Sequence, residues 1–338
     1  MSLMVDATFL ASLPKVELHV HHVGSASVDT VGRLAERYPG GAVPTDPDEL
    51  ARYFTFTDFA HFIELYLSVV DLVRDADDVH LLTSQVARDL AAQNVRYAEL
   101  TMTPYTSVIR GVPIEAYTEA IEDARRAAER DHGIVLRWIY DIPGESGIPA
   151  ADATLAYALD HRPDGLVGFG LGGPEIGVPR AWFTPHFDAA RAAGLHSVPH
   201  AGESTGPETI WSALRDLGAE RIGHGTSSAQ DTALLAHLAD HRIPVEVSLT
   251  SNLATGVVAS LPEHPVLAMR DAGVVVTINS DDPPMFGTTL TREYGIAAEL
   301  LGLDEAGVVD LVLTALAASF APEGVKASIE SELDGPHT

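Results

Sequence analysis

Val16-Glu17-Leu18-His19-Val20-His21 is the chain's first apolar run that carries imidazoles. A strand turns alternate side chains to one face, so this run would set His19 and His21 side by side, with Glu17 in register one step deeper. Two imidazoles at that spacing can share a metal ion, although an isolated His-x-His pair is as readily two partly exposed strand histidines. Three later stretches bear on the choice. Pro199-His200-Ala201-Gly202-Glu203, Arg221-Ile222-Gly223-His224-Gly225 and Ile278-Asn279-Ser280-Asp281-Asp282-Pro283 each close an apolar run, and each carries an imidazole or a carboxylate at that end.

Working outward from the first run, helical periodicity and short apolar runs alternate. Helices are expected near 77–93, 114–130, 150–159, 181–193, 208–217, 232–241, 264–272 and 290–301, and strands at 95–101, 134–141, 166–170, 196–200, 221–223, 244–249 and 274–278. With the first run that makes eight strands, and alternation of this kind argues for a parallel sheet. A doubly wound open sheet would show a glycine-rich phosphate turn after its first strand. Here the chemistry-bearing residues instead stand at the ends of strands 1, 5, 6 and 8, which meet at one face only in a closed (β/α)8 TIM barrel.

Additional helices are expected after strand 1 and at the C-terminus. An amphipathic segment near 31–38 is followed by a loop from Pro39 to Pro47 and by an aromatic helical stretch from Tyr53 to Val73. Most of that stretch's apolar face would pack on the core, but Phe54 and Phe56, ahead of the helix, and Phe59 and Phe62 within it are candidates to line a pocket for a flat ring. The tail after Leu311 reads as a helix and then a polar end, Ser331 to Thr338. The whole chain, 1–338, is expected to be one domain, with the barrel from about 14 to 320.

Composition narrows the partners. Of 338 residues 48 are acidic and 21 basic, a formal net charge of -27, which is unsuited to tracking phosphates, so nucleic acid is not an expected partner. There is no cysteine, so any zinc must be held by nitrogen and oxygen. No apolar run is long enough to span a bilayer, and the opening MSLMVDATFLASL lacks a basic signal-peptide start, so a cytoplasmic protein without a membrane partner is expected. Oligomeric state is not legible.

His19, His21, His200 and Asp281 offer three neutral nitrogens and one hard oxygen, a set that suits one Zn²⁺ per chain with a position left for water. Such an ion brings the water's pKa from near 16 to about 7. Glu203, three residues past His200, would exchange a proton with a substrate ring. His224 would hold or deprotonate the water, and Asp282 would meet the substrate.

The set LPKVELHVH, GLGGPE, HAGE, RIGHG and SDDP resembles, in order and over nearly the whole chain, the adenosine deaminase family of metal-dependent amidohydrolases. The resemblance implies a barrel with one zinc on His19, His21, His200 and Asp281, and a purine nucleoside substrate. It implies that Glu203 protonates purine N1, that the backbone of Gly173 bonds near N3, and that Asp282 faces N7. His224 would assist water attacking C6, and ammonia would leave from a tetrahedral intermediate; Glu203, His224 and Asp281 are then the expected catalytic groups. The two-metal arrangement bridged by a carbamylated strand lysine is excluded, because the only lysines are Lys15 and Lys326.

One motif departs from the family. Adenosine deaminases resemble H-x-H-L-D/E-G here, the acid binding the ribose 5′-hydroxyl, whereas this chain has His19-Val20-His21-His22-Val23-Gly24. Losing a hydrogen bond to a charged group costs about 1.5 to 3 kcal/mol, roughly 10- to 150-fold in affinity. The HVHHVGSAS stretch is similar instead to a subgroup acting on 6-amino-6-deoxyfutalosine, an adenine nucleoside with a carboxyphenyl-bearing 5′ chain, in the futalosine route to menaquinone. Val23 suits such a substrate, and His22 or Arg110 are candidates to meet its carboxylate. Adenosine itself is the alternative substrate, and an inactive nucleoside-binding barrel is a reading of another class.

Overall fold

The computed structural model describes residues 5–56 and 59–335, apart from the side chains of residues 51, 59 and 60. Eight strands pair in chain order: β1 (Lys15–His21), β2 (Val95–Met102), β3 (Val135–Pro143), β4 (Leu166–Gly172), β5 (His196–Ala201), β6 (Ile222–His224), β7 (Val245–Val247) and β8 (Val276–Ile278). Every pairing is parallel, and helices separate the strands, so the chain forms the (β/α)8 barrel its alternation predicts. The sequence boundaries are close, with β3 and β4 each running two residues further toward the face where the site lies.

The seam between β8 and β1 is closed differently from the other seven. One bridge, Val20 to Asp281, carries its backbone bonds: the His21 N–H donates to the Asp281 carbonyl at 2.9 Å and the Asp281 N–H to the His19 carbonyl at 3.0 Å. Below it side chains complete the pairing. Asn279 Oδ1 accepts the Leu18 N–H at 3.1 Å, and Glu17 accepts the Ser280 N–H at 3.2 Å and its hydroxyl at 2.8 Å. Glu17 is therefore a seam residue, one step below the histidines as strand alternation requires.

The barrel interior holds a buried polar line among its aliphatic layers. Arg221 bonds Glu99 of β2, donates Nε to Glu246 of β7 at 2.5 Å, and reaches the Ala318 carbonyl at 3.1 Å. Glu99 also accepts the Tyr97 hydroxyl at 2.9 Å and the Phe320 N–H at 2.7 Å, so the C-terminal segment is tied into the barrel.

Besides short helices at Ala7–Ser12, Pro104–Val108 and Leu249–Ala254 that the periodicity does not predict, two longer regions differ from the sequence expectations. A helix Pro47–Tyr53 stands where the loop gives way to the aromatic stretch; Asp46 caps it, accepting from the Asp48 and Glu49 N–H groups, and Pro47 supplies a preset first turn. The aromatic helix itself is Phe59–Val70, shorter than Tyr53–Val73. The tail forms two helices, Glu305–Ala318 and Glu323–Leu333, so the polar end starts later than Ser331; residues 336–338 lie outside those described. No helix among the described residues is long and apolar enough to cross a membrane.

Asn279→Ala would leave the buried Leu18 N–H without its acceptor, which typically costs about 1–3 kcal/mol. The expected result is a lower urea midpoint at unchanged m-value, read by circular dichroism.

Candidate active site

Strand ends and the turns after them bring His19, His21, His200, His224, Glu203, Asp281 and Asp282 into one cluster at the C-terminal face of the barrel. Asp281 is held at φ 65° and His224 at φ 60°, left-handed conformations that are costly for residues with a Cβ. His224 ends the short strand β6 and Asp281 follows the short strand β8, and the turn swings each side chain over the barrel axis. Gly223 makes room beneath, since a Cβ there would stand 2.9 Å from the His19 ring. Gly24 does the same for Asp282, whose Oδ1 would meet a Cβ at 1.4 Å.

The donor atoms face one point. His21 Nε2 lies 3.1 Å from His200 Nε2 and 3.2 Å from Asp281 Oδ1, and His19 Nε2 lies 3.5 Å from that same oxygen. The buried His19 Nε2 has no hydrogen-bond partner. Two imidazole nitrogens at contact with an orphaned third beside a carboxylate are poorly placed for one another and well placed for a divalent cation among them. The residues present therefore fit the metal that the sequence implies.

Outer partners orient this set. His19 donates Nδ1–H to Glu246 Oε2 at 2.8 Å, which leaves Nε2 bare toward the cluster, and Arg221 braces Glu246 from behind. Ser251 donates to Asp281 Oδ2 at 2.6 Å. Glu175, the acid of GLGGPE, accepts the backbone N–H groups of Gly202, Ser204 and Thr205 at 2.7, 2.7 and 3.1 Å, shaping the turn that presents Glu203. Arg180 pairs with Glu175 at 3.3 Å and caps the His200 carbonyl at 3.1 Å. Burial pushes the Glu203 carboxyl up to about 8, helped by the negative charges of Asp281 and Glu175. Burial and Asp281 push Asp282 up to about 7, and burial pulls His224 down to about 3.

The cluster floors a cavity of about 210 Å³, lined also by Gly173, Thr103, Thr106 and an apolar wall that includes Phe62, Tyr66 and Phe286. A larger and more open groove, about 610 Å³, lies at the opposite end of the barrel beside Arg242 and Arg270 and holds no cluster of imidazoles and carboxylates. Phe56 stands behind the wall, 5.4 Å from the Phe62 ring and 5.9 Å from that of Phe286. The side chain of Phe59 lies outside the described residues. Val23 is half-buried, packs against the core and is not among the residues lining the cavity.

Neither candidate cation for a substrate carboxylate lines the cavity. His22 is buried and turned onto the Thr83 hydroxyl at 2.9 Å, because it follows His21 and alternation sends it to the other face; burial pulls it down to about 3, so it is neutral. Arg110 is engaged by Asp71 at 2.7 Å and by the Thr106 carbonyl at 2.9 Å and does not line the cavity. The sequence reading missed Glu175, Arg180, Glu246 and Arg221, for which the available signal was a charge inside or beside an apolar strand run. It also missed Asp141, a buried β3 carboxyl in the cavity wall whose Oδ1 has no hydrogen-bond partner.

A model of the adenosine deaminase family matches residues 14–336, and the chain belongs to that family. It is similar, at 64% identity over 97% of this chain and 92% of the relative, to an aminodeoxyfutalosine deaminase of Streptomyces avermitilis. Among solved structures, an adenine deaminase from Arthrobacter aurescens superposes with a TM-score of 0.88 at 29% identity, covering 95% of this chain and 98% of that one. An amidohydrolase from Burkholderia ambifaria, solved with bound zinc, gives 0.87 at 26% identity over 97% and 92% of the two chains.

Proposed function

We propose that this member of the adenosine deaminase family hydrolytically removes the 6-amino group of an adenine nucleoside bearing a 5′ extension, with 6-amino-6-deoxyfutalosine as its substrate in the futalosine route to menaquinone. The observation that carries the chemistry is Glu203, a carboxyl set beside a cluster of three imidazoles and Asp281, where burial favours its protonated form. The observation that carries the substrate is Val23 in the place of an acid, in agreement with the name of the relative at 64% identity.

His19, His21, His200 and Asp281 would hold one zinc ion per chain, a choice that the three-nitrogen, one-oxygen donor set favours and that matches the zinc-bound structural relative. The ion would supply Lewis-acid activation of water at neutral pH. The protein's own residues do the rest. Glu203 delivers its proton to purine N1 as the water oxygen adds to C6, so that the electron pair displaced from the ring is neutralised as it arrives. Asp282, pushed toward its protonated form by burial and by Asp281, faces N7, and the Gly173 backbone faces N3. One proton of the added water returns to the Glu203 carboxylate and the other passes to the amine, so the C6–N bond breaks, ammonia leaves and a planar 6-oxopurine protonated at N1 remains. The wall of Phe62, Tyr66 and Phe286 offers apolar area to an aromatic 5′ extension.

Elemental analysis should find one zinc per chain in the purified protein, and His19→Ala should lose both zinc and turnover. Glu246→Gln, which removes the negative charge from the acceptor of His19 Nδ1–H without removing a ligand, should weaken zinc about 10- to 100-fold in chelator competition.

Glu203→Gln should keep full zinc and lose about 10²- to 10⁴-fold in kcat. The acid form is the active one, so wild-type kcat/KM should fall as pH rises through the Glu203 value. That value is about 8 without an ion, and a bound cation, which favours the carboxylate, draws it lower. A variant with near-normal turnover and full zinc would refute this role.

Assayed side by side, the wild type should prefer 6-amino-6-deoxyfutalosine to adenosine in kcat/KM. Val23→Asp should move that ratio toward adenosine by about 10- to 150-fold, since the new carboxylate gains one hydroxyl and repels one benzoate. A wild type that prefers adenosine, with an unmoved ratio in the variant, would assign the enzyme to adenosine.

A further inference from the structure

His224 can meet the attacking oxygen as a base that removes its proton or as a donor that holds it, and which it does depends on where the ring carries hydrogen. Its hydrogen-bond chain ends on a donor of fixed sense. The Val266 backbone N–H donates to His264 Nδ1 at 3.1 Å, so that nitrogen is bare and Nε2 of His264 must carry the proton. His264 Nε2–H donates to Asn252 Oδ1 at 3.0 Å, and the Thr226 hydroxyl donates to the same oxygen at 3.2 Å. With its oxygen spoken for twice, Asn252 turns its amide Nδ2 toward His224 Nδ1, 3.2 Å away. That nitrogen of His224 is thereby an acceptor, and the ring hydrogen resides on Nε2.

All four side chains are buried, Asn252 completely, so no water competes for these bonds and each link imposes its sense on the next. The cavity end agrees. His224 Nε2 faces the ionised Asp281 at Oδ2, 3.8 Å away, and Glu203 Oε2 at 3.7 Å, so an acceptor stands on its cavity side.

We propose that Asn252 and His264 are positioning residues that fix the Nε2–H form of His224, making it a hydrogen-bond donor to the incoming oxygen and excluding it as the base. The inference rests on the deaminase reading for the identity of that oxygen, while the location of the proton stands without it. In an adenine nucleoside deaminase the donated bond steers the oxygen toward C6 and steadies the charge it carries, and the proton that oxygen loses passes to the Glu203 carboxylate left once N1 is protonated. The sequence places the parts far apart: Thr226 follows β6, Asn252 lies in the helix Leu249–Ala254 after β7, and His264 precedes the helix Val266–Asp271.

The test is the tautomer itself, read by nitrogen NMR of the zinc-loaded protein labelled with ¹⁵N-histidine, with His224 assigned through His224→Gln. The wild type should show a protonated Nε2 and a bare Nδ1 at His224. Asn252→Asp puts an acceptor in place of the donor, so His224 should switch to the Nδ1–H form while zinc content is unchanged, and kcat should fall about 10- to 100-fold with KM within about threefold. His264→Gln, which can still donate to Asn252 Oδ1, should keep the wild-type tautomer and most of kcat, whereas His264→Leu should not. A wild-type His224 with its proton on Nδ1, or an Asn252→Asp protein with an unmoved tautomer, overturns the proposal. The spectrum decides this even if no adenine nucleoside is turned over, an outcome that would remove the proposed function instead.

Discussion

Arg221 carries a full positive charge into the barrel, where it is 1% exposed, and the two carboxylates that meet it define what the interior can be. An unpaired ion there would cost several kcal/mol, so Glu99 on β2 and Glu246 on β7 are held in place by necessity. Each then has a second task. Glu99 receives the Phe320 N–H and anchors the C-terminal segment, while Glu246 receives His19 Nδ1–H and aims the opposite nitrogen at the cluster. One buried guanidinium thus links the closure of the fold to the orientation of an imidazole in the site.

A second constraint acts at the mouth of the barrel. β6, β7 and β8 are only three residues long each, and the chain leaves β6 and approaches helix Pro283–Phe286 through His224 and Asp281 in left-handed backbone. Those conformations persist because the surroundings hold them: Asp281 by its bridge to Val20 and the Ser251 hydroxyl, His224 by Asn252. The strain sits where side chains must point across the axis, and the glycines at 24 and 223 clear the space they enter. The same seam that closes the barrel therefore sets the carboxylate oxygen beside His19 and His21.

Electrostatically the site sorts its acids by surroundings. Asp281 is surrounded by imidazoles and stays ionised well below the usual carboxylate range despite its burial. Glu203 and Asp282, equally buried but next to that negative charge, are pushed the other way, toward their protonated forms. Two kinds of carboxyl, one fit to bind a cation and one fit to donate to a ring nitrogen, arise within one cavity from their neighbours alone.

The sequence by itself determined the barrel and the members of the cluster. Helix and strand periods alternate cleanly, and HVH, HAGE, GHG and SDDP fall where strands end, so parallel topology is enough to bring them to one face. The period of two also sends His22 away from His21, a reading available from the stretch His19-Val20-His21-His22 itself. What only the tertiary structure decided were the relations between strands distant in the chain. That Glu246 orients His19, that Glu175 and Arg180 shape the turn of Glu203, that Arg110 belongs to Asp71, and that His264 reaches His224 through Asn252 depend on which buried polar groups find one another in three dimensions. A local pattern specifies which way a side chain leaves its own strand; it carries no information about the partner that burial will oblige it to take.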